Sequence, residues 1–164
     1  MRKTDQLVIN TGPIIALVAA LGDLSVLQMY QHVLVPREVY DELLAGNNNF
    51  ALPEFEAASW LDKQATPLQI NTFLGNTLDK GEAAVIQLAL DKAVSTVCID
   101  EASGRRVARL NGLNVTGSVG ILLRAKQEGL AFSMSEAIGR MQAQGVWLGQ
   151  SVIAFALRQS GEAL

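Results

Sequence analysis

Four short apolar runs, each ending on a polar or turn residue and each leading into a helical pattern, limit what this chain can become. They are "LVIN" before "TGPIIALVAAL", "VLVP" before "REVYDELLAG", "STVCID" before "EASGRRVARLNG" and "LNVTG" before "SVGILLRAKQEG". "STVCID", with Val97, Cys98 and Ile99 in succession, is apolar in a row rather than alternating, which suits a strand buried on both faces. Strands alternating with helices predict a parallel sheet covered on both sides. In such sheets, function collects where strands end and helices begin.

The spacing predicts a strand over Leu7–Asn10, a turn at Thr11–Gly12, and a helix opened by Pro13, where a missing N–H does no harm. Leu24–Tyr30 reads as a short helix and Val33–Pro36 as a strand. The helix after it is expected to close on Gly46 and the Asn run 47–49, while residues 50–66 carry no clear pattern. "LDKGEAAVIQLALDKA" predicts a helix with Val85, Ile86, Ala89, Leu90 and Ala93 on one face. Ser133 and Glu136 have capping-box spacing, and 150–160 predict a last helix. The 164 residues show no repeat, low-complexity tract or linker, so 1–164 is expected to form one domain.

Residues 7–21, with Arg2 and Lys3 ahead of them, also invite a secretion-signal reading. Asn10 and Thr11 split that run, and the unbroken part, Pro13–Leu21, is too short to span a bilayer. No clean small-x-small cleavage site leads into an exported-looking domain, and the expected location is cytoplasmic. A net charge of −3 and a pI near 5.1 argue against a protein that coats nucleic acid by charge alone. Hydrophobic residues make up 49% and charged ones 18%, a balance that suggests a buried sheet, an exposed apolar face used for self-association, or both; a two-fold dimer is expected.

The strand ends and helix starts carry an acidic set. Asn10 ends the first strand, Asp100 and Glu101 end "TVCID", and Glu82 stands three residues after Asp79. Each has a structural alternative: Asp100 as a helix N-cap, Asp79 and Glu82 as a capping box, Asn10 as a turn residue. Glu42 is the least comfortable as a solvated residue. It lies near the stripe of Val39 and Leu43, with Glu38 one turn earlier and Asp41 adjoining. Carboxylate and amide oxygens converging on one point suit Mg²⁺ or Mn²⁺. One cysteine (Cys98) and one histidine (His32) exclude a disulfide and a cysteine- or histidine-rich zinc site. Cys98 reads as a core residue, His32 as a loop-edge residue, and Trp60 and Trp147 as packing anchors.

In order, "VINTGPIIAL", "VPREVYDEL", "LDKGEAAVIQLAL" and "CIDEASGRRVARLNGLNVTGSVGILLRAKQEG" resemble the PIN-domain family. The branch is the small prokaryotic one related to VapC-type toxin ribonucleases, and the resemblance runs over residues 6–148. It implies a three-layer α/β/α fold, a carboxylate cluster holding Mg²⁺ or Mn²⁺, and hydrolysis of RNA phosphodiesters to 5′-phosphate and 3′-hydroxyl ends. It also implies dimers and a partner antitoxin protein. The family's acids fall on Asn10, Glu42, Glu82 and Asp100, with Glu101 assisting; Asn10 is an amide where the pattern has a carboxylate. Arg105 and Arg109, one turn apart, are candidates to meet RNA phosphates, and Thr11 and Ser118 to bond site waters.

Three functions compete on this reading: a metal-dependent endoribonuclease, a catalytically weak PIN module that binds RNA or protein, and an unrelated α/β ligand-binding domain. Against the last, no glycine-rich phosphate loop is present.

Overall fold

A computed structural model describes residues 5–46 and 50–162. Five parallel strands form one sheet: β1 (Gln6–Ile9), β2 (His32–Val35), β3 (Asp62–Lys63), β4 (Thr96–Cys98) and β5 (Asn114–Thr116), in the order β3-β2-β1-β4-β5. Val8 pairs with Leu34 on one side and with Val97 on the other. Leu7, Val8 and Ile9 are fully buried, because β1 is central and both faces of the sheet are covered by helices. This is the three-layer α/β/α fold expected.

The helices are α1 (Thr11–Leu21), α2 (Arg37–Ala45), α3 (Ala51–Ala57), α4 (Thr72–Thr77), α5 (Lys80–Lys92), α6 (Ala102–Leu110), α7 (Ser118–Gln127), α8 (Met134–Ala143) and α9 (Gln150–Gln159). The apolar run after β1 becomes α1, buried almost all round and packed on α8, α3 and α7. It stops at Gly22, whose left-handed backbone (φ 89°) lets its N–H reach Val18 O. Among the described residues no helix is long and apolar enough to cross a membrane.

The structure corrects several sequence expectations. Helix α1 opens at Thr11, not Pro13, and Pro13 sits inside the first turn, where N–H groups have no intrahelical acceptor. The segment 24–30 is a 3₁₀ turn over Ser25–Met29. The patternless stretch 50–66 holds α3 and β3, too short to show a period. Helix α4, capped by the Asn71 side chain, has no counterpart in the sequence pattern. On α5 the N-terminal half, Gly81–Ile86, is buried all round, whereas Leu90 is 40% exposed and Ala93 lies past the helix end. His32 is the first residue of β2, its Nε2 2.7 Å from Asp62 Oδ2. Trp147 anchors no core: it is 85% exposed. The Asn run 47–49 lies outside the described residues. The caps at Asp79 and Ser133 form as expected, each accepting the amide three residues on.

Candidate metal centre

The sheet grows in one direction from β1 to β3, then jumps back so that β4 lies beside β1. That switch point opens a crevice above the ends of β1 and β4. Asn10 stands in it. Its N–H continues the ladder to Cys98 O at 3.1 Å, and its extended backbone occupies the N-cap position of α1. Its side chain nonetheless caps nothing. The residue is 7% exposed, and its buried Oδ1 has no hydrogen-bond partner among the described residues. The turn-residue alternative therefore fails: the amide oxygen is used neither by the helix nor by its own backbone.

Glu42 comes in from α2, where Val39 and Leu43 bury the neighbouring stripe. A Cβ on Gly81 would overlap Glu42 Oε1 and would lie 3.3 Å from Asn10 Oδ1. Asn10 and Glu42 thus share the space that Gly81 leaves open on the first turn of α5. Glu82, the next residue, is 2% exposed and its Oε2 has no partner among the described residues. It gathers with Asp79 and Glu101, each offering one carboxylate oxygen within 4.8 Å of the others. Gly104 of α6 makes room for Glu82 as Gly81 does for Glu42; a Cβ there would strike Glu82 Oε2.

The electrostatics follow from this crowding. Burial first, then the adjoining Asp79 carboxylate and the charges of Asp79, Glu101 and Glu42, push the Glu82 carboxyl up to about 8. Glu42 is also raised, by burial and then by Asp79 and Glu101; the nearby Thr11 hydroxyl pulls it down by less. The Thr11 hydroxyl itself is buried and meets no partner in hydrogen-bonding geometry.

Asp100 is not a member of the three-carboxylate cluster. Its Oδ1 accepts the Ser118 N–H at 2.7 Å, tying the start of α7 to the end of β4. It thereby works across the sheet, not as the cap of the helix after it, whose N-cap Glu101 makes no side-chain cap bond. Arg105 stands beside it, Nη1 donating to Ile99 O at 2.9 Å, while Arg109 is exposed on the next turn. Two sequence expectations about α2 change. Glu38 does not press on Glu42; it is buried and accepts the Leu68 N–H at 2.8 Å. Asp41 is held by Arg37 at 3.0 Å. The negative field at Glu42 comes from Asp79 and Glu101 instead.

Asp79 is the residue that sequence reasoning assigned only to capping. It does cap α5, and the same geometry brings its carboxylate against Glu82, one turn on. A capping pair made of two acids was the available signal.

These residues fit a hard divalent cation. The donors are all oxygens, two of them are buried without partners, and glycines replace the side chains that would fill the space. The like-charge crowding that lifts Glu82 is what a cation would relieve.

Comparison with curated proteins and with solved structures gave no match. A family model described as a PIN domain matches residues 6–162, nearly the whole described chain. With a parallel α/β/α fold and an acidic crevice at its switch point, the chain belongs to the PIN-domain family.

Proposed function

We propose that this chain is a Mg²⁺- or Mn²⁺-dependent endoribonuclease, the toxin of a toxin–antitoxin pair acting in the cytoplasm. The observation that carries the reading is the pair of buried, unpartnered oxygens, Asn10 Oδ1 and Glu82 Oε2, in a crevice ringed by carboxylates. Native proteins seldom leave such atoms without a partner.

Asn10, Glu42, Asp79, Glu82 and Glu101 would hold the ion, with Asp100 at the edge. A divalent ion bound there supplies phosphate neutralisation and a more acidic water. The chain's own residues do the rest. Glu82 and Glu42, disfavoured as anions while crowded, provide charge where a cation stands. Asp100 fixes the start of α7 against the strand ends. Arg105, tethered through one nitrogen to Ile99 O, keeps others for an RNA phosphate, and Arg109 extends the contact one turn away. Hydrolysis would leave 5′-phosphate and 3′-hydroxyl ends.

The test is cleavage of a mixed RNA pool by purified protein, with and without Mn²⁺, beside Glu82→Gln. Cleavage that needs both the metal and Glu82 supports the reading; activity surviving EDTA, or in the Gln variant, rejects it. A second reading, a weak or inactive module that binds RNA or protein, is favoured by Asn10, which brings no charge. Metal binding without cleavage would select it. Finding a small antitoxin-like frame beside the gene would support the toxin role, and finding none would count against it. A homodimer, the state the apolar composition favours, is checked by sedimentation at micromolar concentration.

A further inference from the structure

A cleft of about 710 Å³ adjoins the carboxylates and shares Asp100, Glu101 and Arg105 with them. Its far end is apolar, walled by Trp147, Val152 and Phe155. Helix α9 explains why. Ile153, Ala156 and Leu157 pack on the core, while Val152 and Phe155 are left uncovered on a second apolar face. Trp147 is 85% exposed, yet its indole ring lies against the next segment of chain, with Cη2 3.4 Å from where a Gly149 Cβ would sit. Ser118 also borders the cleft, but its hydroxyl is buried and has no partner among the described residues.

We infer that this cleft seats an unpaired nucleobase of the RNA on Trp147, next to the phosphate that a cation among the carboxylates would hold. The inference rests on the nuclease reading above and names the strand's form. An aromatic face takes any base by stacking. Arg105 at the junction suits the phosphate between base and metal centre, and no ion pair occupies it among the described residues. A duplex keeps its bases stacked on one another, so only a single strand or a loop can offer one.

The chain has two tryptophans, so Trp60→Phe leaves Trp147 as the only indole reporter. In that background, with Asp100→Asn to prevent cleavage and Mg²⁺ present, short single-stranded RNA should quench Trp147 fluorescence saturably. A duplex of the same sequence, and an abasic strand, should not. In the cleaving protein, Trp147→Ser should raise KM about 5- to 100-fold with kcat little changed, and Trp147→Phe should recover most of the loss. Trp147 touches no core, so the Ser variant keeps its fold. If RNA is cleaved with metal but Trp147→Ser leaves KM unchanged, the base site is wrong and the nuclease reading stands. If RNA is neither bound nor cleaved at any metal concentration, the nuclease reading fails and takes this inference with it. If Trp147→Ser converts dimers to monomers in sedimentation, a second copy covers the cleft and the inference is overturned.

Discussion

Glu82 and Glu162 are the same residue in opposite circumstances. Glu162 lies beyond α9 and is fed by donors: Lys126 Nζ at 2.9 Å, the Met134 N–H at 2.7 Å, the Ser135 N–H at 3.1 Å and the Ser133 hydroxyl at 3.2 Å. Lys126 and those amides at the start of α8 hold its carboxyl down to about 2. Glu82 has no donor on Oε2, is buried, and faces other carboxylates, which lifts it to about 8. A carboxylate whose bonds are all made fastens chain segments together. A buried one whose bonds are unmade is waiting for something positive.

The largest effect that separates the two is the response of stability to pH. The folded-state pKa of Glu82 lies above its ordinary value of 4.5, so its contribution is fully present below about 4.5. It is lost as pH rises through about 8, because ionising the buried group opposes folding. Each tenfold loss of acidity corresponds to about 1.4 kcal/mol, so the metal-free protein should lose a few kcal/mol between about pH 5 and 8. Denaturant midpoints across that range should fall in EDTA and stay level in Mn²⁺. Glu82→Gln should remove most of the fall, leaving the part that the raised Glu42 contributes, and should also abolish Mn²⁺ binding by calorimetry. A flat profile for the metal-free wild type would refute the crowding.

The fold was largely legible because β-α alternation survives in the pattern of apolar runs. What escaped was short or turned on contacts remote in sequence. Strand β3 has two residues, too few for a period. Helix α4 is carried by the Asn71 cap and Leu74, with little apolar face of its own. In the candidate site, Asn10, Glu42 and Glu82 were legible from their places at element ends and beside the buried stripe. Asp79 was hidden behind a correct capping assignment. Glu38 was misread because its acceptor role toward Leu68 joins residues far apart in sequence. Trp147 was misread because composition favours burying a tryptophan, and only the packing of α9 shows which of its faces is covered.

Next in size is a pair of substitutions at the shared space between Asn10 and Glu42. Asn10→Asp adds a charge beside a group already raised by its neighbours, so the metal-free protein should become less stable. In Mn²⁺ the sign reverses: the carboxylate acts at short range in a partly dry crevice, and binding should tighten by about a kcal/mol or more. Cleavage should rise with it. If neither affinity nor rate changes, the Asn10 oxygen is not a ligand. Gly81→Ala tests the same space from the helix. Its Cβ would displace the Glu42 carboxylate, the free end of a flexible side chain. Alanine favours a helix over glycine by up to about 1 kcal/mol, so thermal stability should hold or rise while Mn²⁺ affinity falls about tenfold or more. A loss of stability with affinity intact would mean that Glu42 cannot move aside.

The smallest effect belongs to Glu162. Its folded-state pKa lies below the ordinary 4.5, so its contribution is present above about 4.5 and lost as pH falls toward about 2. Its partners are partly open to water, which screens the ion pair with Lys126, so the thermal midpoint of Glu162→Gln should drop only slightly at pH 7. The difference between wild type and variant should shrink toward zero as the solution is acidified from pH 5 to pH 2. Adding Mn²⁺ should leave that difference unchanged, since the donors of Glu162 are already in place. Amide exchange at Met134 and Ser135 should quicken in the variant, because both N–H groups lose a charged acceptor. A Mn²⁺-dependent change at Glu162, or no change in exchange, would break the contrast between a carboxylate that fastens and one that waits.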